Sequence, residues 1–357
     1  MGNAPELPDD TTDDIANMSI RSLVEQTPQA TILGGRNNAR DPLDKPEYTK
    51  ADMPLVHDAH PTSPFLYINL DLITEWEKLL GEKLLAIPFG DDARNADFHD
   101  PIKNRILYAI AEITQSKGVG VSAPSPSAEA NEAKRVPTTF LIYNLTFSQK
   151  YKLLDRGVWS SPAITFRVTP FFPTNPDYLF TIRGFSMNIE DHVETLVYNI
   201  WHDADSLAFA QNLINAAPEK NRIELSLAIS TFLESISVTC LNIKERGGAL
   251  TPRFNIYAKG RAIPLHTTWL ELRKYLSERI YFTPLIGRGE VKTNPFNCGI
   301  CHGVEHPRGL CPFPDIPGWN GPRRDQNVDN RRGRNGGQYG QLRYGTNANS
   351  NKSNYRV

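Results

Sequence analysis

Residues 298–311 read Cys298-Gly-Ile-Cys301-His-Gly-Val-Glu-His306-Pro-Arg-Gly-Leu-Cys311, which places four metal-ligand side chains within fourteen residues. Their spacing is C-x2-C-x4-H-x4-C. Thiolate and imidazole ligands suit a tetrahedral Zn²⁺, and three Cys with one His leave no coordination position open. A loop this short has no core of its own, so the metal would supply its folding energy. The sequence therefore predicts one structural zinc ion held by four ligands: Cys298, Cys301, His306 and Cys311.

Two alternatives to this ligand set remain open from the sequence. His302 is a rival fourth ligand, although its adjacency to Cys301 would strain a chelate, whereas His306 keeps the loop spacing. A disulfide with one free thiol is the other alternative. The chain has four cysteines, three of them in this stretch, and nothing in it looks secretory. That usage is typical of a reducing compartment, which favours the metal.

The spacing resembles that of the CCHC zinc knuckle, a module that binds single-stranded nucleic acid. Knuckles usually carry an aromatic after the first Cys, a Gly after the second and a Gly before the His. The chain has Gly299, His302 and Glu305 at those places. Because base stacking on aromatic rings is a main source of affinity for single strands, we expect nearby rings to replace the missing one, namely Phe296 and Trp319, with Phe313 close by.

Charge is concentrated behind this stretch. The chain of 357 residues has a formal net charge of −1, but residues 321–357 carry eight Lys and Arg against two Asp. The Arg-, Gly-, Asn- and Tyr-rich sequence resembles the RGG segments of RNA-binding proteins, and a concentrated positive charge favours a polyanion. The predicted phosphate contacts are Arg308, Arg323, Arg324, Arg331, Arg332 and Arg334.

The organisation predicted for the rest of the chain is α+β. From Tyr178 to Ile286 the pattern is strand, helix, strand, strand, helix, strand, which is the order of a ferredoxin-like fold of the RNA-recognition type with an antiparallel sheet. The predicted parts are a disordered segment at 1–62, a helical segment at 63–118, a linker at 119–137, the α+β domain at 138–290, the knuckle at 291–320 and a disordered tail at 321–357.

One strand of that domain carries candidate contacts to nucleic acid. Side chains alternate along a strand, so Arg253, Asn255, Tyr257 and Lys259 share one face. A basic and aromatic face suits a nucleic-acid sheet, and we expect Arg253 and Tyr257 to take part.

The motifs of common enzymes are missing from the sequence. It has no H-E-x-x-H, no G-x-S-x-G and no phosphate-binding loop. The best polar cluster is Asp91, Asp92, His99 and Asp100, which we interpret as a solvated loop and a helix cap. The sequence therefore predicts a binding protein and not an enzyme.

Location is indicated only coarsely by the sequence. No run of 18 or more apolar residues is present, and the first residues lack a signal peptide. We expect a nuclear or cytoplasmic protein that is not secreted and has no membrane partner.

The segment from residue 138 to 322 resembles zinc-knuckle open reading frames of basidiomycete fungi, of retrotransposon type, and the resemblance is most specific from Cys298 to Pro322. It implies nucleic-acid binding with structural zinc. Together with the knuckle and the basic tail, we expect the partner to be single-stranded nucleic acid, RNA more than DNA. The resemblance also leaves an alternative: a gag-like assembly protein whose α+β domain self-associates and whose knuckle mediates protein contacts.

Overall fold

The computed structural model describes residues 48–49, 51–172, 174–244 and 248–324. Within them the chain is α+β, as predicted, with eight α-helices and ten strands arranged in two antiparallel sheets. The predictions made for residues 1–47, and for Arg331, Arg332 and Arg334, lie outside the described residues.

The first sheet belongs to the first half of the described chain. Its strands are β1 (Glu82–Pro88), β2 (Gly120–Ser122), β3 (Phe140–Leu145), β4 (Val158–Ser160) and β5 (Thr165–Pro170). The helices of this half are α1 (Leu70–Lys78), α2 (His99–Thr114), α3 (Ala128–Glu132) and α4 (Phe147–Arg156). The strand order is β2-β3-β1-β5-β4, and every neighbouring pair is antiparallel.

The structure corrects two details of the sequence interpretation in this half. The segment 63–118, predicted as helical, contains the central strand β1, and the predicted linker 119–137 contains β2 and α3. β1 is buried on both faces from Leu84 onward, so it shows no alternation of apolar and polar residues. Its Glu, Lys and Ala favour strands poorly, and tertiary packing overrides that preference.

The second sheet follows. Its strands are β6 (Tyr178–Arg183), β7 (Ser237–Lys244), β8 (Leu250–Tyr257), β9 (Tyr281–Thr283) and β10 (Gly287–Lys292). Its helices are α5 (Glu190–Trp201), α6 (Ala204–Ala216), α7 (Arg222–Glu234) and α8 (His266–Ser277). The order is β7-β8-β6-β10-β9, again antiparallel throughout. Residues 138–290, predicted as one α+β domain, therefore supply strands to both sheets.

The two sheets have the same topology. Numbering each set of strands from one to five, both run in the order two, three, one, five, four. In both, the helices of the first crossover lie between strands one and two, and a single helix lies between strands three and four. The second half differs mainly by having three helices, α5 to α7, in the first crossover.

Helices α2 and α4 pack on one face of the first sheet, and α5, α7 and α8 pack on one face of the second. In the second sheet, Phe180, Ile182, Phe254 and Ile256 point into a core shared with α5, α7 and α8. In the first sheet, residues such as Leu84, Phe140 and Ile142 pack against α2 and α4. We call the opposite face of each sheet its outer face.

The outer face of the first sheet is covered by the chain itself. Leu85 and Leu141 pack against α1, where Trp76 is 1% exposed, and against Ile68 and Phe171. Nearby, Arg167 makes a bidentate ion pair with Asp58, with N–O distances of 3.0 and 2.6 Å. The site described next lies beside this covered face and beside the outer face of the second sheet.

Candidate metal centre and nucleic-acid interface

Four ligand side chains converge in the segment that follows β10. The donor atoms of Cys298, Cys301, His306 and Cys311 all lie within 4.8 Å of one another, and all four residues are buried. We call residues 296–324 the Cys3His loop. The convergence confirms that these four residues form a group able to hold a metal ion, and it includes His306, not His302.

The geometry fits Zn²⁺. Sγ of Cys301 lies 3.5 Å from Nε2 of His306. A tetrahedron with Zn–S of about 2.3 Å and Zn–N of about 2.0–2.1 Å has an S–N edge of about 3.5 Å. The amides of Ile300 and Gly303 donate to the sulfurs of Cys298 and Cys301 at 3.4 and 3.3 Å. Amide donors of this kind stabilise thiolates, so the loop backbone is arranged for ligation.

The thiols also compete for ionisation. Hydrogen bonds with Cys301, and then with Cys311, hold the pKa of Cys298 well below its usual range. Hydrogen bonds with Cys298, and then with Cys311, raise the pKa of Cys301 far above its usual range. Three thiolates this close can ionise together only if a cation compensates their charge. One bound Zn²⁺ would supply that charge and fix the loop.

His302 has a different role. Burial, together with the charges of Arg94 and Arg167, lowers the pKa of His302 to about 4, so its ring is neutral near pH 7. The neutral ring donates from Nε2 to the carbonyl of Gly90 at 2.8 Å and accepts at Nδ1 from Arg94 at 3.3 Å. The side chain therefore fastens the loop to the first half of the chain.

An apolar core holds the loop against the first sheet. Phe313 is fully buried and Trp319 is 8% exposed. Their rings contact Phe89, which follows β1, at centroid distances of 4.9 and 5.5 Å. A backbone hydrogen bond from Gly90 to Ile300, 2.8 Å long, adds to this contact. Trp319, predicted as a base-stacking residue, is thus placed in the interior of the loop.

We expect Trp319→Phe to lower the free energy of unfolding by about 1–2 kcal/mol, because it removes apolar volume and the indole donor to the Pro322 carbonyl. Urea unfolding followed by circular dichroism measures this. A stacking role predicts the reverse result: unchanged stability together with weaker binding of single-stranded oligonucleotides.

The arginines of the loop also make internal contacts. Arg308 donates to the carbonyls of Gly299, Arg323 and Arg324 at 2.7, 2.9 and 3.2 Å. Arg324 pairs with both carboxylate oxygens of Asp315 and donates to the Cys311 carbonyl at 2.6 Å. These bonds fold residues 323–324 back onto the loop, so that both predicted phosphate contacts also have a structural role. Arg323 itself is exposed.

Glu305, which stands where knuckles usually have glycine, links the loop to the second sheet. Its carbonyl accepts from the Asn255 side chain at 2.7 Å, and its carboxylate accepts from the Tyr257 hydroxyl at 3.2 Å. The ring of His57 lies 5.1 Å from that of Tyr257. We call Thr181, Asn255 and Tyr257 the covered half of the outer face, since Thr181 and Asn255 are buried and Tyr257 is half-buried.

The other end of the same outer face is more exposed. In the register of the sheet, Arg183 lies opposite Arg253 on β8 and opposite Glu290 on β10. Arg288 lies opposite Phe282 on β9. Directly paired residues point to the same face of a sheet, and so do residues two apart on one strand. We call this set the open half: Arg183, Arg253, Phe282, Arg288, Glu290 and Lys292.

The open half is positively charged and flanked by aromatic rings. Four of its residues are basic, and Glu290 is the one acid. Hydrogen bonds from Lys292 and Arg183 hold the pKa of Glu290 below its usual value, so it is ionised at neutral pH. Phe282 is 55% exposed, and the guanidinium of Arg253 lies 5.4 Å from the ring centroid of Phe296. Arg253 and Phe296, both predicted from the sequence, therefore meet here.

Sequence reasoning missed Arg183, Phe282, Arg288 and Lys292. The alternation of polar and apolar residues in β6 was visible, but only the pairing of β6 with β8 and β10 shows that these side chains share a face. The Asp91, Asp92, His99 and Asp100 cluster does not converge: His99 is buried with Nε2 3.0 Å from the Ala93 carbonyl, and Asp100 pairs with Lys103.

Comparison with protein-family models, with curated proteins and with solved structures found no match. Among the described residues, no helix combines the length and apolar character needed to cross a membrane.

Proposed function

We propose that this protein binds single-stranded nucleic acid, RNA more than DNA, with one structural Zn²⁺, and that it is a binding protein and not an enzyme. The observation that carries the proposal is the open half of the second sheet. It places four basic side chains between two aromatic rings on one surface. Basic side chains contact phosphates and rings stack on bases, a combination typical of surfaces that bind single strands.

The topology supports this proposal. Strand, helix, strand, strand, helix, strand is the connectivity of ferredoxin-like folds. Both halves have it with one additional edge strand each, and the first half also has the short helix α3 between its second and third strands. RNA-recognition domains of this connectivity use the sheet face opposite their helices. We propose that both halves are units of this type and that the second has kept part of its outer face available.

The Cys3His loop has a supporting role in this proposal. Its ligands are buried, and its arginines Arg308 and Arg324 are engaged within the loop. The loop places Phe296 beside Arg253, at the border of the open half. Zinc would thus maintain the binding surface by holding the loop in place.

The direct test is fluorescence anisotropy with labelled single-stranded RNA, single-stranded DNA and duplex DNA across a salt series. We expect binding of both single strands, with RNA tighter, weaker binding of duplex, and affinity that falls steeply with salt. No binding of any oligonucleotide at low ionic strength would contradict the proposal. Crosslinking in cells followed by sequencing would then identify the bound RNA or DNA.

The basic tail gives a separate prediction. We expect deletion of residues 325–357 to weaken binding and to reduce the slope of log affinity against log salt by about 0.7 for each phosphate that the tail would otherwise neutralise. The deletion begins after Arg324 because the Arg324–Asp315 pair belongs to the loop. A truncated chain with an unchanged slope would exclude the tail from the interface.

Self-association is the second candidate function, and one observation favours it. The edge strand β9 is flanked by Ile280 and Leu285, which are 67% and 62% exposed. By contrast, the equivalent strand β4 of the first sheet is partly covered, because the carbonyl of Ser160 accepts a hydrogen bond from the amide of Thr49. Unprotected strand edges invite pairing with another chain. Light scattering with and without nuclease separates assembly through protein contacts from assembly on nucleic acid.

A further inference from the structure

Glu305 contacts both the metal-ligand set and the second sheet. Because Nε2 of His306 faces the Cys301 sulfur, Nδ1 of the same ring points away from the sulfurs, and it lies 3.6 Å from Oε1 of Glu305. The other carboxylate oxygen, Oε2, accepts from the Tyr257 hydroxyl at 3.2 Å and lies 3.5 Å from Nε2 of His57. One carboxylate therefore joins a ligand imidazole to the outer face of β8.

The surroundings fix this carboxylate in position. Only 16% of the Glu305 side chain is exposed. Burial, and then the negative charge of Glu305, raises the pKa of Tyr257, so its hydroxyl stays protonated and donates a hydrogen bond to Glu305. The side-chain amide of Asn255 donates to the backbone carbonyl of Glu305 and so holds the backbone in place. Movement of Glu305 away from β8 would break both bonds and displace the neighbouring His306.

We propose that Glu305 couples zinc binding to the position of the Cys3His loop, so that bound zinc keeps the covered half of the second sheet's outer face shielded and zinc release uncovers it. Carboxylates that contact a ligand imidazole orient the ring and raise its affinity for the metal. Here the same carboxylate also fastens the loop to Tyr257. Linkage is reciprocal, so contacts on the sheet strengthen zinc binding, and zinc strengthens the contacts on the sheet.

The inference concerns the zinc site and β8 alone and does not require nucleic-acid binding. Its first test measures zinc affinity of the full chain by competition with a chromogenic chelator, without nucleic acid. We expect Glu305→Gln to weaken zinc binding about tenfold, as loss of a carboxylate beside a ligand imidazole does elsewhere. We expect Tyr257→Phe, which changes no ligand, to weaken it about three- to tenfold through loss of one hydrogen bond.

Tyr281→Phe is the matched control. It removes a buried hydroxyl on the helix face of the same sheet that accepts from the Trp201 indole at 3.0 Å and donates to the Leu276 carbonyl at 2.7 Å, on the face opposite Glu305. We expect its zinc affinity to equal that of the unmodified chain. Equal affinities for Tyr257→Phe and the unmodified chain, or equal losses in Tyr257→Phe and Tyr281→Phe, would overturn the coupling.

The second test is hydroxyl-radical footprinting with and without a chelator. We expect zinc removal to increase labelling of Tyr257 severalfold while Tyr281, fully buried on the helix face of the same sheet, stays protected. If Tyr257 stays protected without zinc, the shielding does not depend on the metal and the proposal fails. If both tyrosines become labelled, the sheet itself has unfolded, and the zinc affinities of the Tyr257→Phe and Tyr281→Phe chains then decide whether the coupling exists.

Discussion

Replacing Cys301 with serine is expected to abolish tight zinc binding and to unfold the Cys3His loop. Structural zinc sites of this kind contribute about 10–16 kcal/mol of apparent binding free energy, and a serine hydroxyl is a poor substitute for a thiolate. The sulfur of Cys301 is fully buried and receives the Gly303 amide. Native mass spectrometry should show one zinc ion per unmodified chain and none per Cys301→Ser chain.

The effect should extend beyond the loop. Because the loop packs against Phe89 after β1 and bonds to Asn255 on β8, its unfolding weakens the packing of both sheets. A loss of several kcal/mol lowers the melting temperature of a chain this large by roughly 10 °C. Differential scanning calorimetry with and without a chelator measures the shift in the unmodified chain.

Cys240→Ser is the matched control, since Cys240 is the cysteine outside the ligand set and lies half-buried on β7. It should keep its zinc and lose little stability. A Cys301→Ser chain that still holds one zinc with unchanged affinity would contradict the assigned ligand set.

Removing the positive charge of the open half is expected to weaken binding of single-stranded RNA by about 100-fold at low salt, if each of the three arginines contributes a few-fold through its phosphate. The variant is the triple replacement of Arg183, Arg253 and Arg288 by alanine. The slope of log affinity against log salt should fall by about 2, since each neutralised phosphate of a single strand contributes about 0.7. Anisotropy titrations across a salt series measure both quantities.

A matched control separates a specific surface from general attraction. Lys117, Lys134 and Lys220 are exposed residues outside the open half, and their replacement by alanine changes the net charge by the same amount. We expect this control to lose much less affinity. Equal losses in the two triple variants would show that the open half is not the interface.

Phe282→Ala tests the stacking part of the same surface. Base stacking on an aromatic contributes about 1–3 kcal/mol per base, and paired bases are not free to stack on a side chain. We therefore expect the variant to lose affinity for single strands but not for duplex. Loss of both by the same factor would indicate that Phe282 affects the fold and not the stacking on bases.

The sequence by itself predicted the four residues that form a group able to hold a metal ion. They lie within 14 residues, so local spacing accounts for most of their convergence. The spacing favoured His306 over His302, and the structure places His306 in the group. Helix α2 also follows from local pattern, because Ile102, Ile106 and Ile113 repeat at the helical period within the segment predicted as helical and form one buried face.

Only the tertiary structure decided which outer faces are covered, and where each candidate side chain is used. Strand β1 was hidden because burial on both faces erases the alternation that identifies a strand. Trp319 and Arg308 looked available for nucleic acid until the packing showed one inside the loop and the other bonded to its carbonyls. The open half itself depends on pairing between strands more than 100 residues apart in the chain, such as Arg183 with Glu290. A pattern read along one strand shows which residues alternate, but the residues opposite them are set by the fold.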